Sequence, residues 1–243
     1  MLLSTVCQII RNQNNRESLT GLLRQIDDWE LFSDLIIKNG IAPYLLQIVR
    51  QNNLENLIPN NNIDLFDKAY RQTMVRNMLL SDMFYSVISI FNKHSIIAIP
   101  LKGISLIDTL YCNNIGLRHM SDIDVLLHPR DLENAGNILK ASGFKEYVIR
   151  KTDEIDHEKH ACYTKNGILI ELHQKIDDYF DPYSITTDRI MKDAKPDAKG
   201  ILRLSDEDML IHVSIHFYFH VLFGKYSFSG FIDVYNLLQN KSL

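Results

Sequence analysis

The stretch Leu117-Arg118-His119-Met120-Ser121-Asp122-Ile123-Asp124-Val125-Leu126-Leu127 constrains the fold more than any other part of the chain. Side chains on a strand point the same way every second residue, so Asp122 and Asp124 share one face. Val125, Leu126 and Leu127 follow directly and call for burial, which makes the run a core strand with two carboxylates at its start. Neighbouring like charges repel, and one carboxylate takes up a proton unless a cation compensates the pair. A divalent metal is the obvious compensator, and hard oxygen ligands suit Mg²⁺ or Mn²⁺.

Periodicity on either side of this strand predicts an α+β protein. A helical N-terminal region covers residues 1–94, a small mixed β-sheet core with flanking helices covers 95–175, and a helical C-terminal region covers 176–243. Asp28 to Gly40 carries apolar residues at helical spacing and ends at a glycine stop. Ala42-Pro43-Tyr44 restarts a helix with proline in its first turn. The Asn-rich piece Gln51 to Asn62 predicts a loop, followed by a long helix from about Ile63 to Asn92. Its expected apolar stripe includes Leu65, Met78, Leu79, Val87, Ile90 and Phe91.

At Ser95 the pattern changes. Ile96 to Leu101 predicts a short buried strand, Gly103 a turn, and Ile104 to Tyr111 a helix. After the Asp-x-Asp strand, a helix starts at Pro129 and ends at Ser142-Gly143. Phe144 to Arg150 and Ala161 to Thr164 are candidate strands, and Asn166-Gly167 is a hairpin turn leading into Ile168 to His173. Ser205 caps a helix over Met209 to Phe223, and a last helix covers about Gly230 to Leu238.

Composition sets limits on partners and compartment. With 243 residues, 46% hydrophobic and 23% charged, the chain is long enough for one large domain or two small ones. Its formal net charge of -4 provides no global attraction to nucleic acid, although a local basic groove stays open. Cys7, Cys112 and Cys162 are odd in number and widely spaced, which suggests neither a disulfide framework nor a zinc knuckle and fits a reducing cytoplasm. No apolar run approaches the ~20 residues needed to cross a bilayer. The N-terminus lacks the basic leader and small-residue cleavage site of a signal peptide, so a cytoplasmic, membrane-free location is expected.

Four pieces fall in a meaningful order: a strand running into Leu101-Lys102-Gly103-Ile104-Ser105, then Arg118, then Asp122-x-Asp124, then Glu171 late on another strand. This order resembles the polymerase-β-like nucleotidyltransferase superfamily, which places a glycine turn, two metal-binding aspartates and a third carboxylate in that sequence. More narrowly the chain resembles the bacterial "uncharacterised nucleotidyltransferase" family. The residues that carry the likeness are Asp28-Trp29, Gly40 to Leu45, Leu101-Lys102-Gly103, Arg118 to Asp124 and Glu171-Leu172-His173. One departure is that the superfamily's commoner Gly-Ser pair reads Gly103-Ile104-Ser105 here.

The resemblance implies a nucleotidyltransferase core over 95–175 and transfer of an NMP group from an NTP to a hydroxyl or phosphate. Charge builds on the attacking, bridging and non-bridging oxygens of such a reaction, and two metals about 3.5–4 Å apart stabilise both ends of the in-line displacement. By this resemblance Asp122, Asp124 and Glu171 are the catalytic metal ligands for Mg²⁺ or Mn²⁺. Gly103 lets the backbone approach the phosphates, with Ser105 as a further donor. Lys102 and Arg118 are candidates for neutralising the triphosphate. The acceptor stays open between a small alcohol, a peptide or protein side chain, and the end of a tRNA, which the acidic total charge disfavours without excluding.

Each residue also has a plainer reading. Glu171 is otherwise a solvent-facing strand residue, Lys102 a snorkelling strand-end lysine, Ser105 a first-turn helix residue, and Arg118 a salt-bridge partner of the aspartates. His173 shares the face of Glu171 and either lines the cleft or is a packed, hydrogen-bonded histidine. His212, His216 and His220 repeat every four residues on one helix face, which favours a structural or substrate-facing stripe over zinc. Asp233 is expected to cap or to pair with a cation, and Asp153-Glu154 and Asp177-Asp178 to be solvated loops. The rival from another class is a catalytically degenerate nucleotide- or partner-binding module.

Overall fold

The computed structural model describes residues 2–111, 114–147, 161–176, 185–223 and 228–239. In the described residues the N-terminal helices are α1 (Leu2–Arg11), α2 (Arg16–Arg24), α3 (Trp29–Lys38), α4 (Ala42–Gln51) and the long α5 (Asn60–Lys93). Then follow β1 (Ala98–Pro100), α6 (Lys102–Thr109), β2 (Asp122–Leu127), α7 (Leu132–Ala141), β3 (Lys145–Glu146), β4 (Ala161–Lys165) and β5 (Ile168–His173). The remainder is α8 (Thr187–Asp193), β6 (Lys195–Pro196), β7 (Leu202–Arg203), α9 (Asp206–Leu222) and α10 (Phe228–Gln239). Among these residues no helix is long and apolar enough to cross a membrane.

Local signals account for many of the boundaries. The Asp28 carboxylate accepts from the Leu31 amide at 2.9 Å and starts α3, and Pro43 sits in the first turn of α4. Ser205 Oγ accepts from the Asp208 amide at 3.1 Å and starts α9. Asn166 and Gly167 both have positive φ, 53° and 74°, as a two-residue hairpin turn demands.

The five-stranded sheet has the order β1-β2-β5-β4-β3 and is mixed. β2 lies antiparallel to β1 and parallel to β5, and β4 lies antiparallel to both β5 and β3. In the parallel pair Asp122 stands opposite Leu169, Asp124 opposite Glu171 and Leu126 opposite His173. Alternation divides the core in two. Ile123, Val125, Leu127, Ile170 and Leu172 pack with Phe84 and Leu139 on one side. Leu126 and Ile99 pack on the other with α1–α4, Phe66, Met209 and Ile232. The carboxylates of β2 and β5 therefore face the side that α9 and α10 close.

The long helix departs from expectation in two ways. The Asn-rich segment is not a loop throughout, because Glu55–Leu57 forms a 3₁₀ turn and α5 begins at Asn60, directly after Pro59. The buried stripe is also rotated: Phe66, Thr73, Asn77, Leu80, Phe84, Val87, Ile88 and Phe91 face the core, whereas Leu65, Met78 and Leu79 are exposed. Thr73 and Asn77 occupy core positions that an apolar pattern cannot reveal. Asn77 is fully buried, and its amide donates to the carbonyls of Ile115 and Arg118 at 2.5 and 2.7 Å. Of the strand expected over 144–150, the described residues include β3 at Lys145–Glu146. Residues 148–150, Cys112, Asp153-Glu154 and Asp177-Asp178 lie outside the described residues.

Candidate active site

Helix α5 holds the loop that precedes β2. Besides the Asn77 clamp, Tyr70 Oη donates to Asn114 at 2.8 Å and Arg76 donates to the Ser121 carbonyl at 2.8 Å. The Asp-x-Asp strand thus begins from an anchored backbone. Leu101, at the end of the β1 turn, donates its amide to the Asp124 carbonyl at 3.0 Å, so the Lys102 corner and Asp124 are locked side by side.

Asp124 is the centre of the site. It is 4% exposed, and its Oδ1 accepts from Lys102 Nζ and from His173 Nε2, both at 2.8 Å. For the second bond the imidazole has to carry its proton on Nε2, because an ionised carboxylate only accepts. Burial opposes the charge of Asp124, but Lys102 and His173 outweigh it and hold the carboxyl well below the usual carboxylate range. Burial likewise opposes the Lys102 ammonium, and Asp124, Glu171 and Asp122 together keep it above the ordinary lysine value.

Glu171 faces Asp124 across the parallel pair, with Oε2 3.7 Å from His173 Nε2. One ligand atom each from Asp124, Glu171 and His173 lies within 4.8 Å of the others, which is close enough to hold one metal ion. Asp122 stands outside that tight group. Burial and then the repulsion of Asp124 raise its pKa, as expected of a second carboxylate beside a charged first one.

Arg118, Gly103 and Ser105 lie around this group, each with its own packing. Arg118 is a fork on Asp233: Nε lies 3.0 and 2.9 Å from the two carboxylate oxygens and Nη2 lies 2.7 Å from Oδ2. Tyr111 Oη donates to the same carboxylate at 2.5 Å. Asp233 is fully buried, so it pairs with a cation as expected, and the cation is the arginine assigned from sequence to the triphosphate. A Cβ on Gly103 would collide with Arg118 Nη1 and lie 2.8 Å from Met120 Cγ and Sδ, so the glycine makes room for these side chains. Ser105 is buried at 1% exposure in the first turn of α6.

On α9, His212 is buried, and its Nδ1 donates to the Ile176 carbonyl at 2.6 Å while Nε2 has no hydrogen-bond partner among the described residues. Burial, then Lys102, push the pKa of His212 down to about 3, and burial, Lys102 and His220 push that of His216 down to about 2. His216 and His220 lie with ring centroids 4.2 Å apart. His212 and His216 are therefore held neutral by burial and by the charge of Lys102. Sequence reasoning missed the Asn77 clamp, the Tyr111–Asp233–Arg118 cluster and the backbone of Lys102, whose φ is +44°. None of the three has a periodic signature.

With this geometry in view, the family comparison is decisive. The profile of the family described as "uncharacterised nucleotidyltransferase" matches residues 26–243. The chain belongs to that family. This nucleotidyltransferase-family protein has no significant match among curated proteins. Among solved structures it is similar to the solution structure of the antibiotic-resistance factor ANT(2'')-Ia, with 9% identity and a TM-score of 0.47 over 67% of this chain and 84% of that one. It is also similar to the crystal structure of ANT(2'')-Ia in complex with adenylyl-2''-tobramycin, with 10% identity and a TM-score of 0.46 over 65% of this chain and 87% of that one.

Proposed function

We propose that the protein transfers an NMP group from an NTP to a hydroxyl or phosphate acceptor in a Mg²⁺- or Mn²⁺-dependent reaction. The observation that supports this most is the pairing of Asp124 with Glu171 across parallel β2 and β5, which gathers two carboxylates and an imidazole within 4.8 Å in a family of nucleotidyltransferases. The donor set fits a hard divalent ion, since Asp124 is held ionised and Glu171 adds a second oxygen ligand. Asp124 and Glu171 would hold the ion, with Asp122 beside them. Bound there, it supplies Lewis-acid stabilisation of the charge that builds on the phosphate.

The chain's own side chains have separate tasks. His173 orients Asp124 through its Nε2–H, as an outer-shell partner fixes a ligand. Lys102 is the cation beside the carboxylates and can reach a phosphate. Arg118 acts through the fold, tying β2's entry loop to α10 via Asp233. Glu171 would accept the proton of an acceptor hydroxyl as the O–P bond forms and pyrophosphate leaves.

The test is incubation with each α-labelled NTP, Mg²⁺ or Mn²⁺, and a cell lysate. Wild type should label an acceptor in a chelator-sensitive reaction, and Glu171→Gln should lower the rate by about 10²-fold or more. A second reading, a catalytically degenerate binding module, has one observation in its favour: Lys102 already neutralises Asp124. It requires nucleotide or partner binding that chelator leaves unchanged and no labelled product with any NTP.

A further inference from the structure

We propose that Lys102 is the resident counter-cation of the carboxylate centre, and that a divalent ion enters only by displacing its ammonium from Asp124. What Lys102 does after displacement rests on the nucleotidyl-transfer reading; the displacement itself stands on the geometry.

Lys102 Nζ and His173 Nε2 both donate to the same oxygen, Asp124 Oδ1, at 2.8 Å. The Lys102 side chain is 17% exposed and that of Asp124 4%, so little water screens the pair. An ammonium is a compact point charge, and one already seated on a carboxylate oxygen repels a second cation at that carboxylate. His173 carries no such obstacle when neutral. The backbone at Lys102 is left-handed, with φ +44°, a conformation that residues with a Cβ adopt at a cost. From that corner the side chain reaches from the first residue of α6 onto β2.

The displaced ammonium has places to go. Phosphate oxygens of a nucleotide are one. His212 Nε2 is another acceptor, because Nδ1 donates to the Ile176 carbonyl at 2.6 Å and Nε2 is buried without a partner among the described residues. After burial, Lys102 is the charge that most depresses both His212 and His216, which puts its ammonium within electrostatic reach of α9. Metal loading without nucleotide is therefore weak. A nucleotide that receives the ammonium strengthens metal binding, and metal strengthens nucleotide binding by the same factor.

The experiment measures Mn²⁺ binding to the full chain by electron paramagnetic resonance, without nucleotide, for wild type, Lys102→Met and Lys102→Arg. Lys102→Met should bind Mn²⁺ about tenfold more tightly than wild type, while Lys102→Arg, which keeps the charge, should stay within about threefold. Unchanged or weaker binding in Lys102→Met overturns the proposal. If that variant lacks the wild-type far-UV circular dichroism, Lys102→Gln carries the same expectation. Calorimetry with α,β-methylene-ATP and Mg²⁺ supplies a separate arm, in which Lys102→Met should bind about tenfold more weakly than wild type. Absence of nucleotide binding by wild type removes the nucleotidyl-transfer reading and the fate assigned to the ammonium, whereas the Mn²⁺ measurement alone decides displacement.

Discussion

Asp233 and Arg118 form a buried ion pair that ties α10 to the loop before β2. The carboxylate is fully buried and makes three contacts within 3.0 Å to one guanidinium, with Tyr111 completing it. Removing one member of a buried pair leaves the other charge stranded, at a cost of about 3–5 kcal/mol. Asp233→Asn should therefore lower the urea midpoint strongly, and it should do so with or without metal. An unchanged midpoint would show that Arg118 finds another partner. The shared face of Asp122 and Asp124 was legible because strand alternation is a local signal, whereas Glu171 stood out only through the motif order of the family resemblance. The partner of Arg118 was not legible, because Asp233 lies 115 residues further on and no spacing rule connects them. The Asp124–His173 bond was half legible: the shared face with Glu171 was visible, but the parallel register that brings β5 to β2 was not.

At the level of elements, α5 explains how the entry to β2 is held in place. Its polar core positions displaced the stripe expected from apolar residues, which is why Leu65, Met78 and Leu79 lie outside. The elements with strong local punctuation, such as α3 from Asp28 and the hairpin at Asn166-Gly167, were legible within a few residues. The short β6–β7 pair and α8 were not, since two-residue strands carry no periodic signal. Asn77 is where sequence and structure part most. Its amide satisfies two carbonyls in the loop before Asp122, so Asn77→Ala should cost about 1–3 kcal/mol. Hydrogen exchange at Leu117 to Met120 should quicken in that variant more than exchange in β4. Uniform quickening across the sheet would mean that Asn77 contributes to packing only.

For the molecule as a whole, the way charge is buried predicts how stability follows pH. His212 and His216 are held neutral, with pKa values of about 3 and about 2, by burial and the nearby Lys102. An unfolded histidine titrates near 6.5. Below about pH 6.5 the unfolded chain therefore binds up to two protons, one at each of these positions, that the folded chain refuses, and stability falls as pH is lowered. The loss approaches about 1.4 kcal/mol per pH unit for each histidine until the folded values are reached. Asp124 adds to the loss only lower down, as pH drops below the ordinary carboxylate value, because its folded pKa is depressed. Asp122, raised by burial and by Asp124, works the other way at higher pH, from its raised folded value down to the ordinary carboxylate value. Between pH 6.5 and 5 His212 and His216 steepen the fall in stability, and His119, lowered by burial and by Arg118, adds to it. Urea midpoints measured at pH 7, 6 and 5 should fall steadily in wild type and fall less in a His212→Asn, His216→Asn double variant. Asparagine suits position 212 because its amide can still donate to the Ile176 carbonyl without an ionisable ring. Equal slopes in the two proteins would place the acid sensitivity elsewhere and show that α9 admits protons without opening.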